Sequence, residues 1–318
     1  MEDKLFGNAL KHRSFPNGEG EGGWGSIGID LGGTRIKGVV IDAVGNILHQ
    51  TYTPTNDGEE EVWKVAVSRT VNELRQKLKT NNTPIGISAP GIPNTENTSI
   101  VFMPGRLQGL ENFIWKDYLN SPAYVLNDAI AALVTESKIG AAKDSTNAIM
   151  ITLGTGVGGA LLINKQPFQG SSNKAGHIGH IVIDSDGEPD ITNMPGSLED
   201  CIGNCTIEKR SNGRFRSTHD LLSAYRDGDE FAKQVWLTSI KKLAMGLASA
   251  SNLISPDTII IGGGIAEAND DLFVPLKKWF DEFDWQTSHI KAKIVKATQG
   301  DLAGAIGAAF FAMSKTVI

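Results

Sequence analysis

The sequence predicts a two-lobed α/β protein whose second half repeats the organisation of its first half. Strand-like and helical segments alternate along most of the chain. An apolar strand, a glycine turn and a returning strand occur twice, from Ile27 and again from Ala148. With 318 residues, 40% of them hydrophobic, the chain is long enough to bury one or two substantial cores. Two similar lobes facing a cleft are therefore the expected architecture.

The first lobe is predicted to begin with a three-stranded meander. Strands are expected at 27–30, at 36–42 and from Ile47, followed by a helix over 60–79 and short strands at 85–88 and 124–126. The polar, glycine-rich residues 1–23 show no sustained apolar periodicity, which predicts a flexible arm.

The second lobe is predicted to start again with a hairpin. Its expected elements are strands at 148–153 and 160–164, helical stretches within 218–254, a strand at 258–261, a helix near 270–284, a strand at 291–297 and a closing helix from Leu302.

Composition excludes several classes of function. Lys and Arg total 30 against 36 Asp and Glu, so the formal charge of −6 would repel nucleic acid. Two cysteines and an acidic start without an apolar segment predict a cytoplasmic protein. No apolar run approaches the length of about 20 residues that is needed to cross a bilayer, which argues against a membrane partner.

The first candidate site is the turn that contains Asp30, Gly32, Gly33 and Thr34. The paired glycines let backbone N–H groups approach an anion, and the Thr34 hydroxyl can donate a further hydrogen bond. Asp30, at the end of the strand, is a candidate to hold Mg²⁺ through water. An ordinary hairpin whose Asp bonds the local backbone is the alternative interpretation.

The second turn, residues 153–159, repeats this chemistry with Gly154, Thr155 and Gly156. Two such hairpins in matching places can hold a polyphosphate from both sides. Each leads into another strand instead of opening a helix, so neither is a Walker loop or a Rossmann fingerprint.

Asn127 and Asp128 stand at a strand end immediately before a predicted helix. The Asp128 carboxylate could accept the proton of an attacking hydroxyl while Asn127 bonds a neighbouring hydroxyl. Asp128 could also simply cap the helix, and the two roles can coexist.

These residues resemble the ROK family of repressors, open reading frames and kinases, over residues 27–313. The matching segments are 30–34, 88–91, 127–128, 153–159, 177–180, 196–199, 261–264 and 300–307. The resemblance implies the actin-like ATPase fold shared by sugar kinases, heat-shock proteins and actin, which is ribonuclease H-like and has a duplicated core. It implies a smaller lobe of residues 24–127 plus 301–318, a larger lobe of 128–300, and a homodimer.

The resemblance also implies an ATP-dependent kinase that acts on a hexose hydroxyl, with ATP and Mg²⁺ as co-substrate and cofactor. Asp128 would be the catalytic base, the two glycine hairpins would hold the phosphates, and the run Gly262, Gly263 and Gly264 would lie against adenosine. The residues that would contact the sugar are Asn127, His177, His180, Glu199, Gly91 and Arg106.

Two departures from the family bear on the substrate. Relatives commonly carry Glu at the position of His177, and an imidazole cannot replace a carboxylate that accepts two hydroxyl protons. This favours an N-acetylated hexosamine, such as N-acetylmannosamine, as the alternative to glucose. Arg106 stands where many relatives have a sugar-facing Asn. It could reach a more oxygenated substrate, or it could lie in solvent.

A third departure concerns zinc. Many relatives bind zinc with a His and three cysteines, and the cysteine positions here are Asp190, Thr192 and Ser197. Without thiolates a tetrahedral zinc site is not expected. Cys201 and Cys205 are displaced from those positions and are expected to be ordinary thiols; a substitute zinc site that they would form with His180 is the alternative.

Non-enzymatic functions are the remaining alternatives. Repressors of the family carry a helix-turn-helix domain before the first hairpin, whereas only the polar arm precedes Ile27. A sugar sensor needs the same pocket, but it would need neither Asp128 nor two phosphate hairpins. Other actin-like ATPases do not account for the segment from His177 to Glu199.

Overall fold

The structure is a computed structural model that describes residues 25–57, 60–78, 83–190, 192–285 and 291–316. The predicted arm over residues 1–23 lies outside the described residues. Packing divides the chain into two compact units. The first unit comprises the described parts of Met1–Gly91, Asn97–Leu126 and Ala305–Ile318, and the second those of Ile92–Glu96 and Asn127–Gly304.

The described residues form twelve strands and nine α-helices. The strands are β1 Ser26–Leu31, β2 Arg35–Ile41, β3 Ile47–Pro54, β4 Ile85–Ala89, β5 Ile92–Pro93, β6 Ile100–Phe102, β7 Ala123–Asn127, β8 Ala148–Leu153, β9 Val157–Ile163, β10 Gln166–Phe168, β11 Thr258–Gly262 and β12 Lys293–Lys296. The α-helices are α1 Glu60–Leu78, α2 Trp115–Leu119, α3 Asp128–Ile139, α4 Leu198–Ile202, α5 Ile207–Arg210, α6 Thr218–Arg226, α7 Glu230–Ile254, α8 Asp270–Phe283 and α9 Ala303–Thr316. Short 3₁₀ turns lie at Ile178–His180, Asn204–Thr206, Gly264–Ala268 and Gly300–Leu302.

Each unit is built on a mixed five-stranded sheet, and the two sheets share one topology. The strand orders are β3-β2-β1-β4-β7 and β10-β9-β8-β11-β12. In both sheets the central strand pairs antiparallel with the strand that follows it and parallel with a later strand. These pairs are β1 with β2 and β4, and β8 with β9 and β11. The repeated topology confirms the predicted duplicated α/β core.

The predicted helical region over 218–254 is divided in two by a turn. Gly228 has a positive φ of 86°, which ends α6, and the Asp229 carboxylate accepts a hydrogen bond from Ala232 N at 2.8 Å, which caps α7. The predicted strand over 291–297 is shorter, Lys293–Lys296. No helix in the described part of the chain is long and apolar enough to cross a membrane.

In the second unit, helices cover the central strands of the sheet. Strands β8 and β11 are almost completely buried, and the long helix α7 and helix α8 contribute Trp236, Leu243 and Phe280 to the same apolar core. Helix α3 packs against β8 and β9. This packing places the first residue of α3, Asp128, beside the β8–β9 hairpin.

In the first unit, helix α9 packs directly on the backbone of the sheet. A Cβ added at Gly28 of β1 would overlap the carbonyl oxygen of Ala305, and one added at Gly86 of β4 would overlap that of Ala308. The helix can come this close only because both strand positions lack a side chain.

We expect Gly86→Ala to lower the free energy of unfolding by about 3 kcal/mol or more, because the new methyl group has no room against Ala308. Urea unfolding followed by tryptophan fluorescence measures this change. The matched control is Gly264→Ala, whose Cβ would meet no atom within 4 Å. The control should stay within about 0.5 kcal/mol of the parent. Equal stability of the two variants would contradict this packing.

Candidate functional site

The junction between β7 and α3 presents Asp128 at a helix N-terminus. The side chain of Asn127 caps the helix, with its Oδ1 accepting a hydrogen bond from Ala129 N at 3.0 Å. Asp128 Oδ1 accepts from the same N–H at 2.8 Å. Asn127 is buried and Asp128 is exposed. The capping role considered for Asp128 therefore belongs mainly to Asn127, which leaves the Asp128 carboxylate at the surface of the second unit.

The second glycine turn forms the tip of the β8–β9 hairpin. Gly154 N donates to Gly156 O at 3.0 Å, which closes the turn. The segment that follows α4 also binds this turn. Asn204 N donates to Gly154 O at 3.0 Å, and Cys205 N donates to Thr155 O at 2.8 Å. The backbone of the turn is thus fixed by its neighbours.

Glu199, on helix α4, is bound to this hairpin. Its Oε2 accepts a hydrogen bond from Val157 N at 2.8 Å, and a Cβ at Gly156 would overlap the carboxylate. The resemblance implied a contact between Glu199 and the sugar. A carboxylate has about four acceptor positions, so it can hold the hairpin and still accept hydrogen bonds from a ligand.

The segment that carries both histidines packs on the same hairpin. Gly159 lies against the Gly176 carbonyl and Ile178, and Gly179 lies against the Val157 carbonyl. This close approach of two backbones fixes where His177 and His180 stand.

The two imidazole rings are nearly parallel. The ring planes of His177 and His180 differ by 10°, with centroids 6.5 Å apart, and His177 Nδ1 lies 3.1 Å from the carbonyl oxygen of Lys174. Burial lowers the pKa of His177, and the Lys174 carbonyl opposes this only in part. The ring of His177 is therefore neutral near neutral pH.

The side chain of Asp190 lies close to the imidazole ring of His180. Its Oδ2 is 4.0 Å from His180 Nδ1, and both atoms are buried without a hydrogen-bond partner among the described residues. The other oxygen, Oδ1, accepts from Thr192 N and Thr192 Oγ1 at 2.7 Å and from Met194 N at 3.0 Å. Burial alone would raise the pKa of Asp190, but hydrogen bonds from Ser197, Thr192 and Met194 outweigh it and lower the pKa to about 2.

The side chains at the zinc positions of the family do not fit zinc. One carboxylate and two hydroxyl groups replace three thiolates, and among the described residues no three His, Cys, Asp or Glu side chains are placed to hold a metal. Cys201 is buried and Cys205 is exposed, and burial raises the pKa of both thiols. Both are protonated at neutral pH, the form that binds zinc poorly.

A third glycine run, at the end of β11, also borders the hairpin. A Cβ at Gly263 would overlap the Leu153 carbonyl, and the buried Gly262 lies against Met150. Gly264 and Gly154 differ from these residues, because a Cβ at either would meet no atom within 4 Å and neither has a positive φ. Neither packing nor conformation requires glycine there, which is typical of a backbone that a ligand approaches closely.

In the first unit, Asp30 is bound on both carboxylate oxygens. Oδ1 accepts from Ser88 Oγ at 2.8 Å, and Oδ2 accepts from Lys37 Nζ at 3.1 Å. Gly32 N donates to Arg35 O at 3.2 Å, which closes the turn, and Thr55 Oγ1 donates to Gly32 O at 2.5 Å. Thr34 in this turn is exposed. Sequence reasoning missed Lys37, and it missed the contact of Ser88 with Asp30 although Ser88 stands in a segment that matches the family.

Arg106 lies on the first glycine turn. Its guanidinium occupies the position that a Cβ of Gly33 would take, and Nε is 3.8 Å from Asp57 Oδ2. A cavity of about 840 Å³ in this unit is lined by Asp57 and residues 101–111. Gly91 has a φ of 98° and lies against the Phe102 carbonyl, so backbone geometry alone accounts for its glycine.

Comparison with known proteins gives a consistent result. The profile of the ROK family matches residues 26–315. A glucokinase of Halalkalibacterium halodurans is 30% identical over 309 residues, which cover 88% of this chain and 92% of that protein. An N-acetylmannosamine kinase of Haemophilus influenzae is 28% identical and covers 90% of this chain and 94% of its own length.

Solved structures match over nearly the whole chain as well. A ROK hexokinase from Thermus thermophilus superposes with a TM-score of 0.82 at 25% identity, covering 92% of this chain and 98% of that one. A ROK glucokinase from Streptomyces griseus in complex with glucose and AMPPNP gives 0.76 at 26% identity, covering 91% and 99%.

We expect Glu199→Ala to speed hydrogen exchange of the Val157 amide by about tenfold or more, because a hydrogen bond to a charged group is lost. Exchange monitored by NMR measures this rate. Glu199→Gln is the matched control, since its amide oxygen can still accept from Val157 N and the rate should stay close to that of the parent protein. An unchanged rate in the Ala variant would show that Glu199 does not hold the hairpin.

Proposed function

This chain belongs to the ROK family, and we propose that it is an ATP-dependent sugar kinase that phosphorylates the 6-hydroxyl group of a hexose. The observation that carries this proposal is the position of Asp128. Its exposed carboxylate stands at the start of α3, and the adjacent Ala129 lies against Gly158 of the glycine hairpin. A candidate base beside a candidate phosphate turn is the arrangement that phosphoryl transfer to a hydroxyl requires.

We propose that Asp128 accepts the proton of the attacking hydroxyl. General-base catalysis contributes about 10²–10⁴-fold to such a reaction. The larger part of the rate would come from alignment of the reacting groups and from backbone N–H groups that stabilise the transferred phosphoryl group. Thr155 and Gly156 would supply such N–H groups, while the N–H of Gly154 closes the turn by donating to Gly156 O.

Each unit contains residues of glycine runs that are proposed as nucleotide contacts. In the second unit these are the hairpin tip and the run Gly262, Gly263 and Gly264, which would border adenosine. In the first unit they are Gly32, Gly33 and Thr34. The guanidinium of Arg106 on Gly33 suits a phosphate contact better than the sugar contact implied by the family resemblance.

Mg²⁺ would neutralise charge on the ATP phosphates. Asp30 fits the proposed role of holding it through water, because its two oxygens keep lone pairs beyond those bonded to Ser88 and Lys37. Lys37 adds a positive charge next to this turn, which also favours phosphate binding.

His180, Glu199 and Asn127 of the second unit are proposed to contact the sugar. His177 and the backbone of Gly91 are proposed as further sugar contacts. The neutral imidazole of His177 favours an N-acetylhexosamine as the alternative substrate, because its single acceptor nitrogen cannot replace a carboxylate that accepts two hydroxyl protons. The N-acetylmannosamine kinase among the relatives supports this alternative. A homodimer and a cytoplasmic location stay predictions.

The test is ATP-coupled turnover with a panel of glucose, mannose, fructose, allose, glucosamine, N-acetylglucosamine and N-acetylmannosamine. We expect one sugar to be phosphorylated, and Asp128→Asn to lower kcat by about 10²–10⁴-fold because the base is lost. Asp270→Asn is the matched control, since Asp270 is also exposed and first in its helix, and it should leave kcat unchanged.

Turnover that survives in Asp128→Asn would contradict the assignment of the base. If the protein binds one or more sugars of the panel but phosphorylates none of them, a non-catalytic sugar sensor would be favoured instead.

A further inference from the structure

The loop that zinc organises in relatives is organised here by one carboxylate. Asp190 N donates to Met194 O at 2.9 Å, and Asp190 Oδ1 accepts three hydrogen bonds from Thr192 and Met194. A backbone bridge between Pro189 and Pro195 closes the same loop. These bonds use one oxygen of Asp190 and hold its side chain in a single orientation.

The second oxygen of Asp190 is left facing His180. The Asp190 side chain is only 2% exposed, and its Oδ2 and His180 Nδ1 are both buried and without a hydrogen-bond partner among the described residues. A buried carboxylate oxygen without a partner is costly. The Nδ1–H of the imidazole ring, 4.0 Å away, is a group that could relieve this cost.

The distance between the two atoms lies between that of a direct bond and that of a water bridge. At 4.0 Å it exceeds a good N–H···O bond by about 1 Å. A bridging water would instead hold its two partners about 4.6 Å apart, given two bonds of about 2.8 Å. Hydrogen bonds of a catalytic site commonly shorten when the ligand binds, and a direct bond here requires the two atoms to approach by about 1 Å.

We propose that Asp190 is a positioning residue that replaces the zinc of the family by accepting a hydrogen bond from Nδ1–H of His180. The inference rests on the proposed sugar kinase function. The bond fixes both the orientation of the ring and its tautomer, because the proton on Nδ1 leaves Nε2 of the neutral ring as an acceptor. Nε2 then accepts a hydrogen bond from a sugar hydroxyl.

The first experiment reads the tautomer directly and needs no activity. The protein is labelled with ¹⁵N-histidine, and its spectrum is recorded well above the ordinary imidazole pKa of about 6.5. Of the six histidines, His180 is assigned by the signal that His180→Asn lacks. We expect Nδ1 to be protonated and Nε2 to be bare. A proton on Nε2 would overturn the proposal, even if the kinase function holds.

The second experiment compares Asp190→Asn with Thr192→Val. In Asp190→Asn the carboxamide can still accept the loop hydrogen bonds, but its NH₂ group would donate to Nδ1 and move the ring proton to Nε2. We expect the KM for the sugar to rise about tenfold and the KM for ATP to stay unchanged. Thr192→Val removes a bond to Oδ1 alone and should change neither constant by more than about twofold.

An equal rise of the KM for the sugar in the two variants would show that Asp190 only stabilises the loop, and it would overturn the positioning role. Elemental analysis of the purified protein is the remaining check. We expect no stoichiometric metal. One zinc ion per chain that is lost in Asp190→Asn would show that Asp190 is a metal ligand and would overturn the proposed hydrogen bond.

Discussion

The hydrogen bond from Val157 N–H to the Glu199 carboxylate is the interaction on which the candidate site depends. It joins the phosphate-type hairpin to helix α4 at a distance of 2.8 Å. The same segment continues to Asn204 and Cys205, whose N–H groups bind carbonyl oxygens of the hairpin tip. A single stretch of chain therefore supports the glycine turn and carries a side chain proposed to contact the sugar. In the proposed function, sugar and phosphate binding would therefore share one structural element.

Glycine makes this arrangement physically possible. Side chains at Gly156, Gly158 and Gly159 would overlap Glu199, Thr152 and the Gly176 carbonyl respectively. With only backbone on those positions, α3, α4 and the segment of the two histidines all reach the hairpin. Gly154 is different, because nothing in the unit occupies the space beside it. The glycines of this one motif thus differ in their surroundings: three allow close internal packing, and Gly154 leaves an open surface, which is where the ligand is proposed to bind.

Much of this could be predicted from the sequence because the signals are local. Strand, turn and strand follow one another in both halves, so the duplicated core and both hairpins were predictable. The pairing of Asp30 with Lys37 was missed, although a tight two-stranded turn places them directly opposite each other. Ser88 and Asp190 could not be found in this way. They reach Asp30 and His180 only through tertiary folding, so the comparison of their positions with the family did not reveal these contacts.

The departures from the family also became interpretable only in three dimensions. In the sequence, Asp190, Thr192 and Ser197 are simply the absence of three cysteines. In the structure, Asp190 is the centre of a hydrogen-bonded loop that faces His180. The interpretation of Arg106 also changes from a sugar contact to a proposed phosphate contact, because its guanidinium lies on Gly33 of the first hairpin.

The most direct test of the central claim is a crystal structure of the protein with its sugar substrate and a non-hydrolysable ATP analogue bound. The account predicts that one oxygen of Glu199 still accepts from Val157 N while the other accepts from a sugar hydroxyl. The reacting hydroxyl should lie within hydrogen-bond distance of Asp128. A sugar bound out of reach of Glu199, or a Glu199 side chain turned away from Val157, would contradict it.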